Sequence, residues 1–246
     1  MAKYDFRAPR LYLDTPIAAS QELKLGREQA HYLRHVLRLE EGGTVLVFNG
    51  RDGEWQAQLL AGGKRDAALR TEKQIRLQPE TRGPVYAFAP LKHARLDYVV
   101  QKAVEMGASR LSPVLTQHTQ VNRMNMERMR SNAVEAAEQC GILTLPQIDE
   151  PQPLDRWVDS LESGRVLVFC DEGEAERSPV DTLAPVKDRA IALLVGPEGG
   201  FSKDERAALR ARENVIALSL GPRILRADTA AVAALALVQS VCGDWR

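Results

Sequence analysis

The sequence has 246 residues, 44% of them hydrophobic, and 33 basic and 33 acidic side chains give a formal net charge of zero. No apolar run is long enough to span a bilayer, and the start lacks the apolar stretch of a signal peptide, so we expect no membrane association and a cytoplasmic location. The 3 cysteines form no CxxC pair and the histidines lack metal-ligand spacing, so we expect reduced thiols and no metal. A neutral chain can still bind RNA through a local basic patch.

Residues 1–76 have the sequence pattern of a small β-barrel. Short β-type runs at 11–13, 44–48 and 54–59 are separated by glycine-containing turns, and one helix is predicted at 27–39. A linker is predicted at 79–84, where two prolines and a glycine fall within six residues. We therefore expect a second domain at 82–246.

In the second domain, predicted strands alternate with predicted helices. Apolar runs predict strands at 85–89, 111–115, 166–170, 191–195 and 215–220, and helical spacing predicts intervening helices, the last at about 228–241. Gly107 and Gly141 lie where C-terminal glycine caps belong, and Ser202 with Glu205 forms a capping box. The pattern predicts an α/β domain with a parallel sheet.

A glycine-rich loop, Gly196-Pro197-Glu198-Gly199-Gly200, follows the predicted strand at 191–195. Ligands of open α/β sheets bind at the carboxyl ends of the strands, and glycines let the backbone approach a ligand closely. The loop matches neither the P-loop nor the GxGxxG pattern, which argues against nucleoside triphosphates and dinucleotides. By itself, it is as compatible with a tight turn as with a ligand site.

A second polar segment follows the predicted strand at 215–220 and reads GPRILRADT at 221–229. It gathers arginines and an aspartate just before an apolar, buried-type helix. One interpretation is that Asp228 or Thr229 caps this helix while the arginines are solvated. The charge cluster at the mouth of such an apolar helix favours a functional role.

Five segments together resemble the RsmE family of small-subunit ribosomal RNA uridine-N3 methyltransferases, within the SPOUT superfamily. They are LVGPEGGFS at 194–202, LSLGPRILR at 218–226, AAEQCG at 136–141, QKAVEMG at 101–107 and RAPRLY at 7–12. The resemblance implies an N-terminal PUA-like β-barrel that binds RNA and a SPOUT-type trefoil-knotted methyltransferase domain. It also implies a homodimer, and ribosomal RNA or the small ribosomal subunit as substrate.

The same resemblance implies that S-adenosyl-L-methionine is the cofactor and that residues around both loops bind it. These residues are Leu194, Gly196, Pro197, Glu198, Gly199, Gly200, Leu218, Leu220, Gly221, Ile224, Leu225 and Thr229.

Methylation of uracil N3 requires that the N3 proton leaves before or during the attack. We expect Arg226 to stabilise negative charge on the uracil carbonyl oxygens, and Glu198 or Asp228 to take the proton or orient the base. RNA phosphates are expected to meet Arg34 and Arg38 on one face of the predicted helix at 27–39, although a solvated helix fits these residues almost as well. The family resemblance adds the basic residues Arg7 and Arg10.

The sequence departs from the family pattern at several positions. Ile142, His118 and Asn122 stand where family members usually carry basic residues, and Arg226-Ala227-Asp228-Thr229 replaces the usual Arg-Thr-Glu-Thr. The changes at Ile142, His118 and Asn122 remove positive charge from the expected RNA side and do not touch the two glycine-containing loops that begin at Gly196 and Gly221. Two alternatives stay open: a related SPOUT methyltransferase with another RNA target, and a non-catalytic RNA-binding factor in ribosome assembly.

Overall fold

A computed structural model describes residues 8–61, 67–121, 123–171, 173 and 177–246, and of His93 only the backbone. Arg7 and Asn122, which the sequence analysis singles out, lie outside the described residues. The chain forms two compact units, Met1–Glu80 with Ala137–Leu145, and Thr81–Ala136 with Pro146–Arg246. Among the described residues, no helix has both the length and the apolar character that a membrane crossing requires.

The elements of the first unit are β1 (Arg10–Tyr12), β2 (Glu22–Lys24), α1 (Arg27–His31), β3 (Thr44–Phe48), β4 (Glu54–Leu59) and β5 (Ala68–Arg76). The strands form a five-stranded sheet with the order β1-β3-β4-β5-β2, in which β1 pairs with β3 in parallel and the other neighbouring strands pair antiparallel. The apolar side chains of this unit form a buried cluster that includes Leu33, Val45 and Leu69.

The helix predicted at 27–39 is shorter than expected. It ends as α1 at His31 and continues as one turn of π-helix, Tyr32–Val36. Arg38 lies beyond this turn, with a left-handed φ of 53°. The predicted basic face assumed regular α-helical geometry throughout, so Arg38 does not share a helical face with Arg34.

A buried carboxylate joins three strands of the first unit. The Glu54 side chain on β4 is 1% exposed and receives Arg10 of β1 at 3.1 Å and Arg76 of β5 at 2.6 Å. Arg76 also donates from Nη2 to the carbonyl oxygen of Gly141 at 3.0 Å. Both arginines pair with this one buried carboxylate, so removing its charge weakens the ion pairs of the buried Arg10 and the half-buried Arg76.

The strands of the second unit are β6 (Val85–Phe88), β7 (Arg110–Leu115), β8 (Gln147–Ile148), β9 (Gln152–Pro153), β10 (Val166–Cys170), β11 (Ile191–Val195) and β12 (Val215–Leu218). They form a parallel sheet with the order β12-β10-β11-β6-β7-β8, and β9 pairs with β7. Its helices are α2 (His93–Glu105), α3 (Met126–Cys140), α4 (Leu154–Asp159), α5 (Pro179–Leu183), α6 (Lys203–Arg210) and α7 (Ala227–Val241), and the last residues of α3 cluster with the first unit.

Local sequence signals account for several of these boundaries. Every residue of β11 is buried, as the continuous apolar run predicts. Gly107 and Gly141 follow α2 and α3 with positive φ values of 74° and 65°, so both predicted glycine caps are confirmed. The predicted capping box of α6 is also present, with Ser202 and Glu205 exchanging hydrogen bonds.

We expect Glu54→Gln to lower the free energy of unfolding by ~3–5 kcal/mol, because it replaces the buried carboxylate that pairs with two arginines by a neutral amide. Urea denaturation followed by circular dichroism measures the change. Asp14→Asn is the matched control, since it removes the ion pair between Asp14 and Arg51, whose side chains are 77% and 57% exposed, respectively. The loss of this exposed pair should change the free energy of unfolding by no more than about 1 kcal/mol. Equal losses in the two variants would contradict the buried role of Glu54.

Candidate active site

Three adjacent strands of the second unit end at the same edge of the sheet. β10 lies between β11 and β12, and all three run parallel. The segments that follow them therefore meet, although they are far apart in the sequence. They line a cavity of about 230 Å³, in the position where open α/β sheets bind ligands.

The loop after β11 is a tight turn that needs its glycines. Gly200 has a φ of 67° and donates to the carbonyl oxygen of Pro197 at 2.9 Å. A Cβ atom at Gly196 would lie 3.0 Å from the ring of Phe201. That ring is buried and packs edge-on against Phe169 of β10, with centroids 5.9 Å apart. The turn is thus anchored in the core while its backbone faces the cavity.

The loop after β12 also turns at a glycine. Gly221 has a φ of 97°, and its N–H group donates to Oγ of buried Ser219 at 3.2 Å. A Cβ atom at Gly221 would have no neighbouring atom within 4 Å. Glycine is therefore favoured here by the positive φ of the backbone, and not by a lack of room for a side chain. Leucine and isoleucine side chains of this loop supply an apolar wall to the cavity, and Ile224 is 91% exposed.

All the cofactor residues predicted from the sequence line this cavity except two. Leu194 is fully buried in β11, and Thr229 is exposed in the first turn of α7. The predicted lining residues are Gly196, Pro197, Glu198, Gly199, Gly200, Leu218, Leu220, Gly221, Ile224 and Leu225. The structure therefore brings the two loops together around one space.

The end of β10 contributes lining residues that the sequence analysis missed, Cys170 and Asp171. The fully buried Asp171 carboxylate pairs with Arg206 at 3.1 Å and Arg210 at 2.8 Å, which ties β10 to α6. Burial, followed by the nearby Asp171 charge, raises the pKa of Cys170 to about 12. Cys170 therefore lines the cavity as a neutral thiol at neutral pH.

Two of the predicted catalytic residues meet through an arginine that the sequence analysis did not identify. Arg95 of α2 donates from Nη1 to Glu198 at 3.2 Å, and its Nε lies 3.9 Å from the Asp228 carboxylate. Arg226 is exposed at the N-cap position of α7 and does not line the cavity. No sequence pattern links Arg95 to Glu198, because 103 residues separate them.

The predicted RNA contacts lie in different environments. Arg10 is buried against Glu54, so its guanidinium is a partner in an internal ion pair and is not presented to solvent. Arg34 is half-buried and donates to the carbonyl oxygen of Leu60 at 3.5 Å. Arg38 is exposed. Of the described residues predicted to contact RNA, Arg38 is thus the most accessible.

The residues around the cavity fit an adenosine-containing cofactor. The leucine and isoleucine side chains can pack against the faces of a purine ring, and two turns of glycine-rich backbone can approach its polar edges. Among the described residues there is no group of three His, Cys, Asp or Glu side chains that could hold a metal ion.

Comparison with known proteins agrees with a site for an adenosine-containing cofactor, because the proteins and families that match this chain are RNA methyltransferases. An RNA methyltransferase domain family matches residues 80–239, and an RNA methyltransferase PUA domain family matches residues 25–72. The chain is 31% identical over 233 residues to the ribosomal RNA small subunit methyltransferase E of Rickettsia conorii, covering 94% of each chain.

Two solved structures that are similar to this chain contain S-adenosyl methionine. The ribosomal RNA small subunit methyltransferase E of Neisseria gonorrhoeae aligns with a TM-score of 0.86 and 27% identity, over 98% of this chain and 100% of that one. A putative methyltransferase of Legionella pneumophila aligns with a TM-score of 0.83 and 28% identity, over 95% of this chain and 98% of that one.

The fold and the cavity define an RNA methyltransferase that uses S-adenosyl methionine, which confirms the fold class and the cofactor predicted from the sequence. More narrowly, the chain belongs to the ribosomal RNA small subunit methyltransferase E family.

Proposed function

We propose that this chain transfers a methyl group from S-adenosyl methionine to N3 of a uridine in small-subunit ribosomal RNA. The observation that carries the proposal is the cavity formed by the two glycine loops, which follow the strands on either side of β10. The cofactor residues are those predicted from the sequence, with Leu194 supporting the first loop from beneath. The choice of N3 of uridine rests on the resemblance to the family.

The bound cofactor supplies an activated methyl group, and the protein's main task is to align it with the nucleophile. We propose that Arg226 stabilises the negative charge that develops on the uracil carbonyl oxygens. Glu198 or Asp228 accepts the N3 proton. Arg95 contacts both carboxylates and holds them in place at the entrance to α7.

Cofactor binding and catalysis can be tested separately with Arg226→Ala. S-adenosylhomocysteine should raise the melting temperature of both wild type and variant, whereas ATP and NAD should not. Methyl transfer to small-subunit RNA should fall by about a hundredfold or more in the variant, because a charge-stabilising donor is lost. Incorporation of radiolabelled methyl groups measures this rate.

Arg189→Ala is the control for this experiment, since Arg189 lies before the amino end of β11, where it bonds to Gly164. Unchanged turnover in Arg226→Ala would remove Arg226 from the mechanism. A wild-type protein that binds RNA without methylating it would favour the non-catalytic assembly factor.

We also propose that residues 1–76 bind RNA while residues 82–246 carry out methyl transfer, with Arg7, Arg34 and Arg38 among the RNA contacts. The match of a PUA family to residues 25–72 supports this division. A ribosomal substrate also supports a cytoplasmic location.

Arg38→Ala should weaken RNA binding uniformly across sequences and reduce the slope of log affinity against log salt by about 1, because one phosphate contact is lost. Filter binding at several salt concentrations measures both quantities. Arg70→Ala, which removes an exposed arginine of β5, should leave the slope unchanged. An unchanged slope in Arg38→Ala would argue against the contact.

A homodimer is supported by the apolar face of α7. Val232, Ala233, Ala236 and Leu237 remain partly exposed along this helix, and a partner subunit would cover them. Sedimentation equilibrium should give twice the 27.3 kDa chain mass for wild type, and a smaller mass for Leu237→Glu. Leu77→Glu is the control, because Leu77 lies in the other unit and is 79% exposed. A monomeric wild type would refute the proposal.

A further inference from the structure

His118 makes a contact that the sequence analysis did not anticipate. It is exposed in the segment after β7, at a position where the family resemblance leads us to expect arginine. Its Nδ1 lies 3.1 Å from the carbonyl oxygen of Gly199 and 3.2 Å from that of Gly200. Both glycines line the cavity.

The chemistry of this contact determines the role of Nδ1. Carbonyl oxygens only accept hydrogen bonds, so Nδ1 must carry the proton and donate. The approach is close, since a Cβ atom at Gly199 would lie 3.3 Å from the Cβ of His118. Glycine at 199 therefore leaves the room that the imidazole occupies.

The neighbouring residues hold the imidazole against the loop. The N–H group of Gln117 donates to Glu205 at 2.8 Å, and Glu205 also accepts from the N–H group of Ser202, the N-cap residue of α6, in the capping box. Within the segment, Thr119 Oγ1 accepts from the N–H group of Thr116 at 2.8 Å. The segment from Thr116 to Thr119 thus forms hydrogen bonds to the loop after β11 and to the start of α6, the helix that follows this loop.

We propose that His118 is a positioning residue for the cofactor, and that its Nδ1–H group fixes the Gly199–Gly200 backbone in the conformation that binds S-adenosyl methionine. This inference rests on the proposed function for the identity of the ligand. A histidine retains the hydrogen-bond donor that an arginine would supply, while it gives up the permanent charge. The departure from the family pattern therefore leaves the cofactor loop supported.

Two nearly isosteric variants test the assignment of Nδ1. His118→Asn keeps an amide donor near the position of Nδ1, whereas His118→Gln places its amide near the position of Nε2. The Kd for S-adenosylhomocysteine, measured by titration calorimetry, should stay near the wild-type value in His118→Asn. It should rise about tenfold in His118→Gln and His118→Ala, because one hydrogen bond that orders the loop is lost.

A positioning role predicts a particular division of the kinetic effects. The KM for S-adenosyl methionine should rise in His118→Gln, because the loop must then be ordered when the cofactor binds. The kcat at saturating cofactor should stay unchanged, because the loop is already ordered in the complex. Melting temperatures without ligand should agree among the variants, because the side chain is exposed.

The outcomes separate this inference from the proposed function. If wild type fails to bind S-adenosylhomocysteine, the proposed function fails. If wild type binds it and all three variants bind equally well, the role of His118 is refuted. If His118→Gln retains affinity while His118→Asn loses it, the donor is not Nδ1 and the assignment is wrong.

Discussion

The candidate site depends on the parallel pairing of β10 with β11 on one side and β12 on the other. Phe169 pairs with Leu194 of β11, and Cys170 pairs with Leu218 of β12. Both neighbouring strands therefore end within a residue or two of the end of β10, and their loops emerge side by side. Apolar side chains on both faces of β10 and β11 are buried and hold the pairing register, since a slip would move them out of their packing positions.

Two anchors convert this alignment into a fixed cavity. Phe201 inserts into the core beside Phe169 and restrains the end of the first glycine loop. Asp171 receives two arginines from α6, so the helix that follows this loop is tied back to β10. Because the carboxylate is fully buried, loss of either arginine would leave its charge less well compensated. Both anchors constrain the C-terminal end of the loop, and β11 holds its start, which limits the ordering that ligand binding requires.

The sequence predicted the elements whose signals are local. β10, β11 and the α6 capping box follow from apolar runs and from the Ser202–Glu205 spacing. β2 is only three residues long and β5 is rich in charged side chains, so both lacked a clear strand pattern. The turn of π-helix at Tyr32–Val36 differs from an α-helix in its backbone hydrogen bonds and not in its amino-acid composition, so the sequence pattern could not predict it. Strand order follows from packing between distant segments, so Asp171 and Arg95 could not be assigned to the site.

Basic residues illustrate why a family pattern does not determine the role of each side chain. An arginine offers both a permanent charge and several hydrogen-bond donors, and the fold can use either property. At Arg10 the charge is directed inward, where it compensates the buried Glu54. At position 118 a histidine replaces the arginine that the family resemblance leads us to expect, and its Nδ1 contacts the glycine loop. The role proposed for His118 thus separates support of the cofactor loop from electrostatic attraction toward RNA.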